Sequence, residues 1–280
     1  MSGSTFLKNS ITSLALGSFD GVHKAHQELI KRADGVLVIE KGAVLTPGEF
    51  RCRFIQKPCF FYPLPTIKEL DAKGFVERLK QDFPNLKKIV VGYDFAFGKD
   101  RRYTIEDLKK YFDGVVEVVE EIKQDGISIH SRFIKNFLKS GDIEKANRLL
   151  GRCYQIEGKK IKGQGLGSKE LVPTVNVEVE KFLLPKEGVY LTLANGKKSV
   201  TFIGKRESVD GSFAIETHFL EEFESPYKVE ICFIKYLRPN RKFSSLKELK
   251  RQIEKDIERA KKEFDENFNS DNFSYLCKCG

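Results

Sequence analysis

The spacing of hydrophobic residues follows two different patterns along this chain, and the pattern changes near Gly151. Before that residue, short apolar runs alternate with stretches in which apolar residues recur every three or four positions. Strands that alternate with helices are typical of a parallel sheet with helices on both faces. The runs predict strands at 14–16, 36–39, 88–92 and 115–119, and helices at 66–83, 105–112, 131–140 and 142–150.

After Gly151, polar and apolar residues alternate one by one, which is the period of a half-buried strand. Asn195 and Gly196 favour a tight hairpin, because both residue types accept positive φ. An apolar stripe from Leu246 to Phe264 predicts a final amphipathic helix. So many short antiparallel strands in one segment favour a small barrel. The strands are predicted at 154–160, 174–179, 188–193, 199–203, 213–220 and 227–236.

The predicted fold class is therefore α/β: a doubly wound, Rossmann-like parallel sheet, followed by a small antiparallel β-barrel domain with a C-terminal helix. We expect domains at 1–150 and 151–266, with a tail at 267–280. In open parallel sheets, ligands bind at the carboxyl ends of the strands. A functional site is therefore expected directly after the first strand.

The residues after the first strand read GSFDGVHKAH, at 17–26. His23 and His26 are three residues apart at the start of the next helix, so they share a helix face. The N-terminus of a helix attracts anions through its free N–H groups and its dipole. The pattern therefore favours a phosphate site. Its alternative is a glycine turn with two incidental surface histidines.

The charge of the chain narrows the choice of partner. There are 49 basic and 40 acidic residues, which gives a net charge of +9. The basic residues are spread along the chain, and none of them form the basic, aromatic-rich block that single-stranded nucleic acid requires. We expect phosphorylated small molecules as partners, no nucleic acid, and a monomer or weak homo-oligomer. No apolar run could span a bilayer and no secretory pattern is present, so we expect no membrane partner and a cytoplasmic location.

The decamer resembles the G-x-F-D-G-V-H-x-G-H signature of bifunctional riboflavin kinase/FAD synthetases, with Ala25 in place of the second glycine. The resemblance implies that His23 and His26 are catalytic and bind ATP phosphates during adenylyl transfer to FMN. Such chemistry depends mainly on positioning and electrostatics. The resemblance also implies that the turn itself binds the nucleotide, through Gly17, Ser18, Phe19 and Asp20.

Two further segments of the first half resemble motifs of the same family. VGYDFAFGKDR, at 91–101, is similar to V-G-x-D-F-R-F-G, which implies that Asp94 holds the loop or nucleotide. Phe95 and Phe97 would then wall the flavin or adenine. IHSRFIK, at 129–135, corresponds to S-S-T-x-x-R, which implies that phosphates are bound by Ser131, Arg132 and Lys135. The family's T-F-x-P-H-P stretch is missing. The compressed segment VIEKGAVLTPG, at 38–48, stands in its place, so the loop that faces the flavin in the family must be built differently here.

The second half is similar to the riboflavin kinase module of this family. GSKELVPTVN, at 167–176, matches G-R-x-L-G-F-P-T-A-N, which implies that Thr174 and Asn176 bind Mg²⁺ and the ATP phosphates. The glycine-lysine loop that contains Gly163 could cradle phosphates through its amides. Glu216, in IETHFL, matches the general base that takes the proton of the riboflavin 5′-hydroxyl.

The leading hypothesis is a bifunctional transferase that makes FMN from riboflavin and FAD from FMN, with Mg²⁺ and ATP for both steps. One alternative is an FAD synthetase with an inactive barrel, since the second-half motif has lost Arg, Gly and Phe around 168–172. Another is a flavin- or nucleotide-binding regulatory protein. A cytidylyltransferase is disfavoured by the second-half resemblance.

Overall fold

The computed structural model describes residues 7–162, 172–208, 210–224 and 226–267. Contacts divide the chain into two compact units, residues 1–131 and 132–280. Each unit is built around its own β-sheet. None of the described helices is both long and apolar enough to cross a bilayer.

The first unit contains a parallel sheet of five strands in the order β3-β2-β1-β4-β5. Helices precede or follow these strands as the alternating pattern predicted, which confirms the Rossmann-like class. A small hairpin, β6 and β7, follows the sheet. The strands are β1 Ser13–Gly17, β2 Gly35–Glu40, β3 Cys59–Pro63, β4 Lys88–Gly92, β5 Val115–Val119, β6 Lys123–Gln124 and β7 Ile127–Ser128. The helices are α1 Lys24–Lys31, α2 Cys52–Ile55, α3 Leu64–Ile67, α4 Ala72–Asp82 and α5 Ile105–Tyr111.

The sheet is covered by an apolar cluster on each face. Leu14 and Leu16 of β1 belong to one cluster, whereas Ala15 between them belongs to the other. Successive residues of a strand point to opposite faces, so the two clusters form the two cores of a doubly wound sheet. The first of them contains Phe75 and Leu79 of α4.

The first unit contains α2 and the β6–β7 hairpin, neither of which was predicted, and it differs from the prediction in two further places. Strand β3 was not predicted, because Pro58 and Pro63 flank a run of only four residues and indicate a loop. The helix predicted at 66–83 is two helices, α3 and α4. The two helices are separate because Asp71 is the N-cap of α4. Its Oδ1 accepts a hydrogen bond from Gly74 N at 2.7 Å.

The described residues of the second unit form a closed antiparallel barrel of six strands, in the strand order β10-β11-β12-β9-β8-β13, together with three helices. This architecture confirms the predicted barrel. The strands are β8 Tyr154–Ile161, β9 Val175–Val179, β10 Gly188–Ala194, β11 Lys197–Lys205, β12 Phe213–Phe219 and β13 Lys228–Arg238. The helices are α6 Ser131–Ser140, α7 Ile143–Leu150 and α8 Leu246–Asn267.

Helices α6 and α7 belong to the second unit by their contacts, although we expected them at the end of the first domain. Asn147 of α7 donates to Phe233 O at 2.9 Å and accepts from Tyr154 N at 2.7 Å. These bonds tie the helix to β13 and β8. The expected domain boundary at Gly151, which comes from the change in sequence pattern, remains a proposal.

The hairpin and the final helix of the barrel follow the sequence closely. Asn195 and Gly196 have φ of +48° and +75° and join β10 to β11. Ala260 and Phe264 of α8 are buried against the barrel. The strands β12 and β9 pair at two described positions, Glu216 with Asn176 and Thr217 with Val175.

Candidate active sites

The turn after β1 has an unusual backbone. Phe19 and Val22 have φ of +50° and +41°, and Gly21 between them has +94°. Both side chains are completely buried. Positive φ is strained for a bulky or β-branched residue and persists only where surrounding contacts impose it. The shape of this turn therefore depends on the residues that hold it.

Asp20 provides the first set of holding contacts. Its buried Oδ1 accepts hydrogen bonds from Leu45 N at 2.8 Å and Thr46 N at 3.2 Å. The Thr46 hydroxyl in turn accepts from Gly21 N at 2.8 Å, and Ser131 Oγ donates to Asp20 O at 2.7 Å. The shortened loop after β2 therefore holds the turn through Leu45 and Thr46. We call these contacts, together with those of Arg51 described next, the clasp. Ser131, from the third motif, is the last residue of the first unit, and it contacts the same turn.

Arg51 provides the second set and was missed by the sequence analysis. Its side chain is 0% exposed, and Nη1 donates to Ser18 O at 2.5 Å. Nε donates to Gly48 O at 3.0 Å, and Nη2 donates to the Glu40 carboxylate at 2.5 Å. No local pattern marks this arginine. Its only sequence signal is a basic residue shortly after the compressed loop, which by itself indicates a solvated side chain.

The two histidines of the decamer lie together at the start of α1. His23 is the N-cap, and its Nδ1 accepts from His26 N at 3.3 Å. The rings stack at 3.6 Å with an angle of 13° between their planes. Because His23 Nδ1 accepts a hydrogen bond, the ring proton in this arrangement is on Nε2. The pair therefore offers an N–H donor at a helix N-terminus, where an anion is favoured.

The second motif begins where β4 ends. Asp94 is mostly exposed, and its backbone carbonyl accepts from Arg101 Nη2 at 2.8 Å. Phe97 is buried in the first apolar cluster, 4.8 Å from the Phe75 ring, and Phe95 lies partly buried beside it. These contacts give Phe97 a role in the core. Its predicted contact with flavin or adenine, like that of Phe95, remains a prediction.

The remaining phosphate-binding candidates lie elsewhere in the chain. Arg132 and Lys135 are on α6, within the second unit, and the Arg132 guanidinium lies 4.9 Å from the Phe133 ring. Their predicted contact with phosphate remains a prediction. Gly163 lies outside the described residues, as does the tail beyond Asn267.

The barrel contains a cavity of about 470 Å³, which is lined by strands of the barrel and by α8. This volume is in the range of small-molecule sites. Thr174, Asn176 and Glu216, predicted from separate motifs, all line it. Its apolar wall includes Val189, Val200, Phe202, Leu249 and Ile253.

Strand pairing positions the acid–base group of this cavity. Glu216 on β12 pairs with Asn176 on β9, and Glu216 Oε1 is 3.3 Å from Arg206 Nη1. Burial raises the pKa of Glu216, while Arg206 opposes the rise. A partly desolvated carboxylate of this kind is suited to accept a proton from a hydroxyl group.

His218 is a second side chain that the sequence analysis did not identify as functional. It stands two residues after Glu216 on β12, so both side chains lie on the same face. Its Nδ1 donates to Pro173 O at 2.7 Å. The bond holds the segment that carries Thr174 at the rim of the cavity.

A Rossmann-like sheet with two histidines at a helix N-terminus, followed by a barrel whose cavity contains a carboxylate, is typical of a two-module enzyme of nucleotide and small-molecule chemistry. Comparisons with known proteins agree with this class. The riboflavin kinase family matches residues 150–264, and the FAD synthetase family matches residues 62–133.

Full-length relatives carry both modules. A bifunctional riboflavin kinase/FMN adenylyltransferase of Listeria monocytogenes is 32% identical, over 87% of this chain and 89% of its own. The protein of the same name from Bacillus subtilis is 31% identical, over 88% and 90% of the two chains. This chain therefore belongs to the bifunctional riboflavin kinase/FMN adenylyltransferase family, and it is a transferase.

A solved structure shows the same fold. A protein described as a macrolide-efflux protein, from Streptococcus pneumoniae, superimposes with a TM-score of 0.79 and covers 91% of this chain and 96% of its own. The two sequences are 24% identical. This likeness concerns the fold alone.

Proposed function

We propose that this chain converts riboflavin to FMN in the barrel and FMN to FAD in the first unit, with ATP as the donor in both steps. The observation that supports the proposal is the surroundings of the predicted reactive groups. The stacked histidines lie at a helix N-terminus, and Glu216 lies in a cavity with an apolar wall.

In the first unit, a phosphate oxygen of FMN attacks the α-phosphorus of ATP, and the bond to pyrophosphate breaks. His23 and His26 would donate hydrogen bonds to the phosphate oxygens on which negative charge increases. The turn that Asp20 and Arg51 hold leads directly into α1, so it would fix the position of the helix N-terminus that carries both histidines. No covalent nucleophile is needed.

In the barrel, the 5′-hydroxyl of riboflavin attacks the γ-phosphorus of ATP, and ADP leaves. Glu216 would take the proton of that hydroxyl as the new bond forms. The apolar wall of the cavity would exclude water from the ring system of the flavin. Excluding water also prevents hydrolysis of ATP in place of transfer.

The donor set at the cavity fits Mg²⁺. Thr174 offers a hydroxyl and Asn176 an amide oxygen, which are hard ligands of the type that Mg²⁺ prefers. Among the described residues, no group of three or more His, Cys, Asp or Glu side chains could hold a metal. Mg²⁺ commonly binds to few protein ligands and to substrate phosphates, where it offsets their negative charge. The two residues would therefore hold it together with ATP.

Turnover with separate substrates tests the proposal. Riboflavin with Mg-ATP should yield FMN and then FAD, and FMN with Mg-ATP should yield FAD, as resolved by chromatography. An enzyme with an inactive barrel would use FMN and ignore riboflavin. A regulatory protein would bind the ligands and turn over neither, and a cytidylyltransferase would consume CTP in preference to ATP. The cytoplasmic location and the monomeric or weakly oligomeric state also remain proposals.

A further inference from the structure

Two cysteines of the first unit lie side by side. Cys52 begins α2 and Cys59 begins the edge strand β3, seven positions further along the chain. Their sulfur atoms are 2.6 Å apart, and both residues are partly exposed free thiols. A disulfide joins two sulfurs at about 2.05 Å. A bond between these two therefore needs a movement of roughly half an ångström.

The two thiols differ in their readiness to react. The contact with Cys59 lowers the pKa of Cys52 against the effect of burial, and the Arg51 guanidinium lowers it further. The same contact and burial raise the pKa of Cys59. Since the thiolate is the nucleophile in disulfide exchange, Cys52 is the thiol that attacks and Cys59 the thiol that resolves.

We propose that Cys52 and Cys59 form a modification site at which a low-molecular-weight disulfide, such as oxidised glutathione, closes a reversible disulfide bond. The Cys52 sulfur bonds to one glutathione sulfur, and the other glutathione leaves as a thiol that carries the Cys52 proton. The Cys59 sulfur then bonds to Cys52, and the second glutathione leaves with the Cys59 proton. Two cysteine thiols are oxidised and one glutathione disulfide is reduced to two thiols.

The bond would close a ring around the segment that follows Arg51. Arg51 directly precedes Cys52, and its guanidinium holds the backbone of the turn at Ser18. Because the sulfurs need to move so little, the hydrogen bonds of Arg51 persist in the oxidised chain. The oxidised chain should therefore keep its fold while α2 is covalently joined to β3. This inference does not depend on the proposed function.

Peptide mass spectrometry of the full chain tests the site. The chain is equilibrated with graded ratios of oxidised to reduced glutathione, alkylated in denaturant and digested with trypsin. Trypsin cleaves after Arg51 and Arg53, so Cys52 and Cys59 leave in different peptides. We expect the two peptides to be linked through sulfur, with two hydrogens lost, and separated again by dithiothreitol. The proposal fails if both cysteines are alkylated at every ratio, or if glutathione remains on one of them.

The variant Cys59→Ser tests which of the two thiols attacks. In Cys59→Ser the resolving thiol is missing, so glutathione should accumulate on Cys52 as a mixed disulfide. If Cys52 stays alkylated in that variant, its assignment as the attacking thiol is wrong. The wild-type measurement stands by itself if the variant does not fold, which circular dichroism would show.

Discussion

The two candidate sites are built by different means. In the first unit, the reactive turn takes its shape from contacts with a distant loop, through Asp20, Thr46 and Arg51. In the barrel, Glu216 and Asn176 face each other because their strands pair in register. A site held by sheet register tolerates change in the loops around it, whereas a site held by a clasp depends on residues outside its own motif. This difference explains how Glu216 can stay in the cavity despite an altered loop motif.

The largest effect is expected for Glu216→Gln, which should slow one of the two proposed activities and leave the other unchanged. Glu216→Gln keeps the shape of the side chain and removes the proton acceptor. We expect riboflavin phosphorylation to fall by about 10²–10⁴-fold, as for loss of a general base, while adenylyl transfer to supplied FMN is unchanged. Glu178→Gln, an exposed carboxylate on β9, is the matched control. A Glu216→Gln chain with wild-type kinase rate would remove Glu216 from the mechanism.

At the turn, His23→Asn separates helix capping from phosphate binding. Asparagine is a good N-cap, so α1 should remain intact while the imidazole is lost. We expect adenylyl transfer to fall by about 10²–10³-fold, the cost typical of a lost charge-stabilising donor, with riboflavin phosphorylation retained. His23→Ala should lose the cap as well and melt at a lower temperature. Equal rates for wild type and His23→Asn would show that His23 is a cap alone.

Arg51→Met tests the clasp. The change leaves the carbonyl groups of Ser18 and Gly48 without their buried donor, which should cost about 1–3 kcal/mol of stability. We expect denaturant unfolding at lower concentration, and slower adenylyl transfer because the turn is no longer held. Arg53→Met is the control, since Arg53 is exposed two residues away. If both variants behave alike, the clasp does not support the turn.

The smallest expected effect is a shift in pH dependence. Burial raises the pKa of Glu216 above its ordinary value of 4.5, and Arg206 opposes that rise. A general base must be deprotonated, so kinase activity should fall as the pH decreases through this pKa. Arg206→Met should move the acid limb of the kcat/KM profile to higher pH, whereas Lys198→Met, on the exposed side of β11, should not. A limb that moves to lower pH would contradict the assignment.

Local patterns were sufficient for much of the fold and for part of the sites. Asn195 and Gly196 identified their hairpin, because the required positive φ is a property of those residues themselves. Strand β3 was missed because its short run between prolines carries no periodic signal. Arg51 was missed for a deeper reason. Its role comes from hydrogen bonds to Ser18 and Glu40, which are distant in sequence and come together only in the fold.

The pairing of β12 with β9 has a consequence for motion. These strands share two register pairs among the described residues, whereas β8 and β9 share four and β11 and β12 share seven. The barrel thus closes through its shortest ladder at Glu216 and Asn176. Regions with few backbone hydrogen bonds open most easily. The backbone amides of this strand pair should therefore exchange with deuterium before those of β10 and β11. Glu216 and Asn176 then lie where the barrel opens most easily.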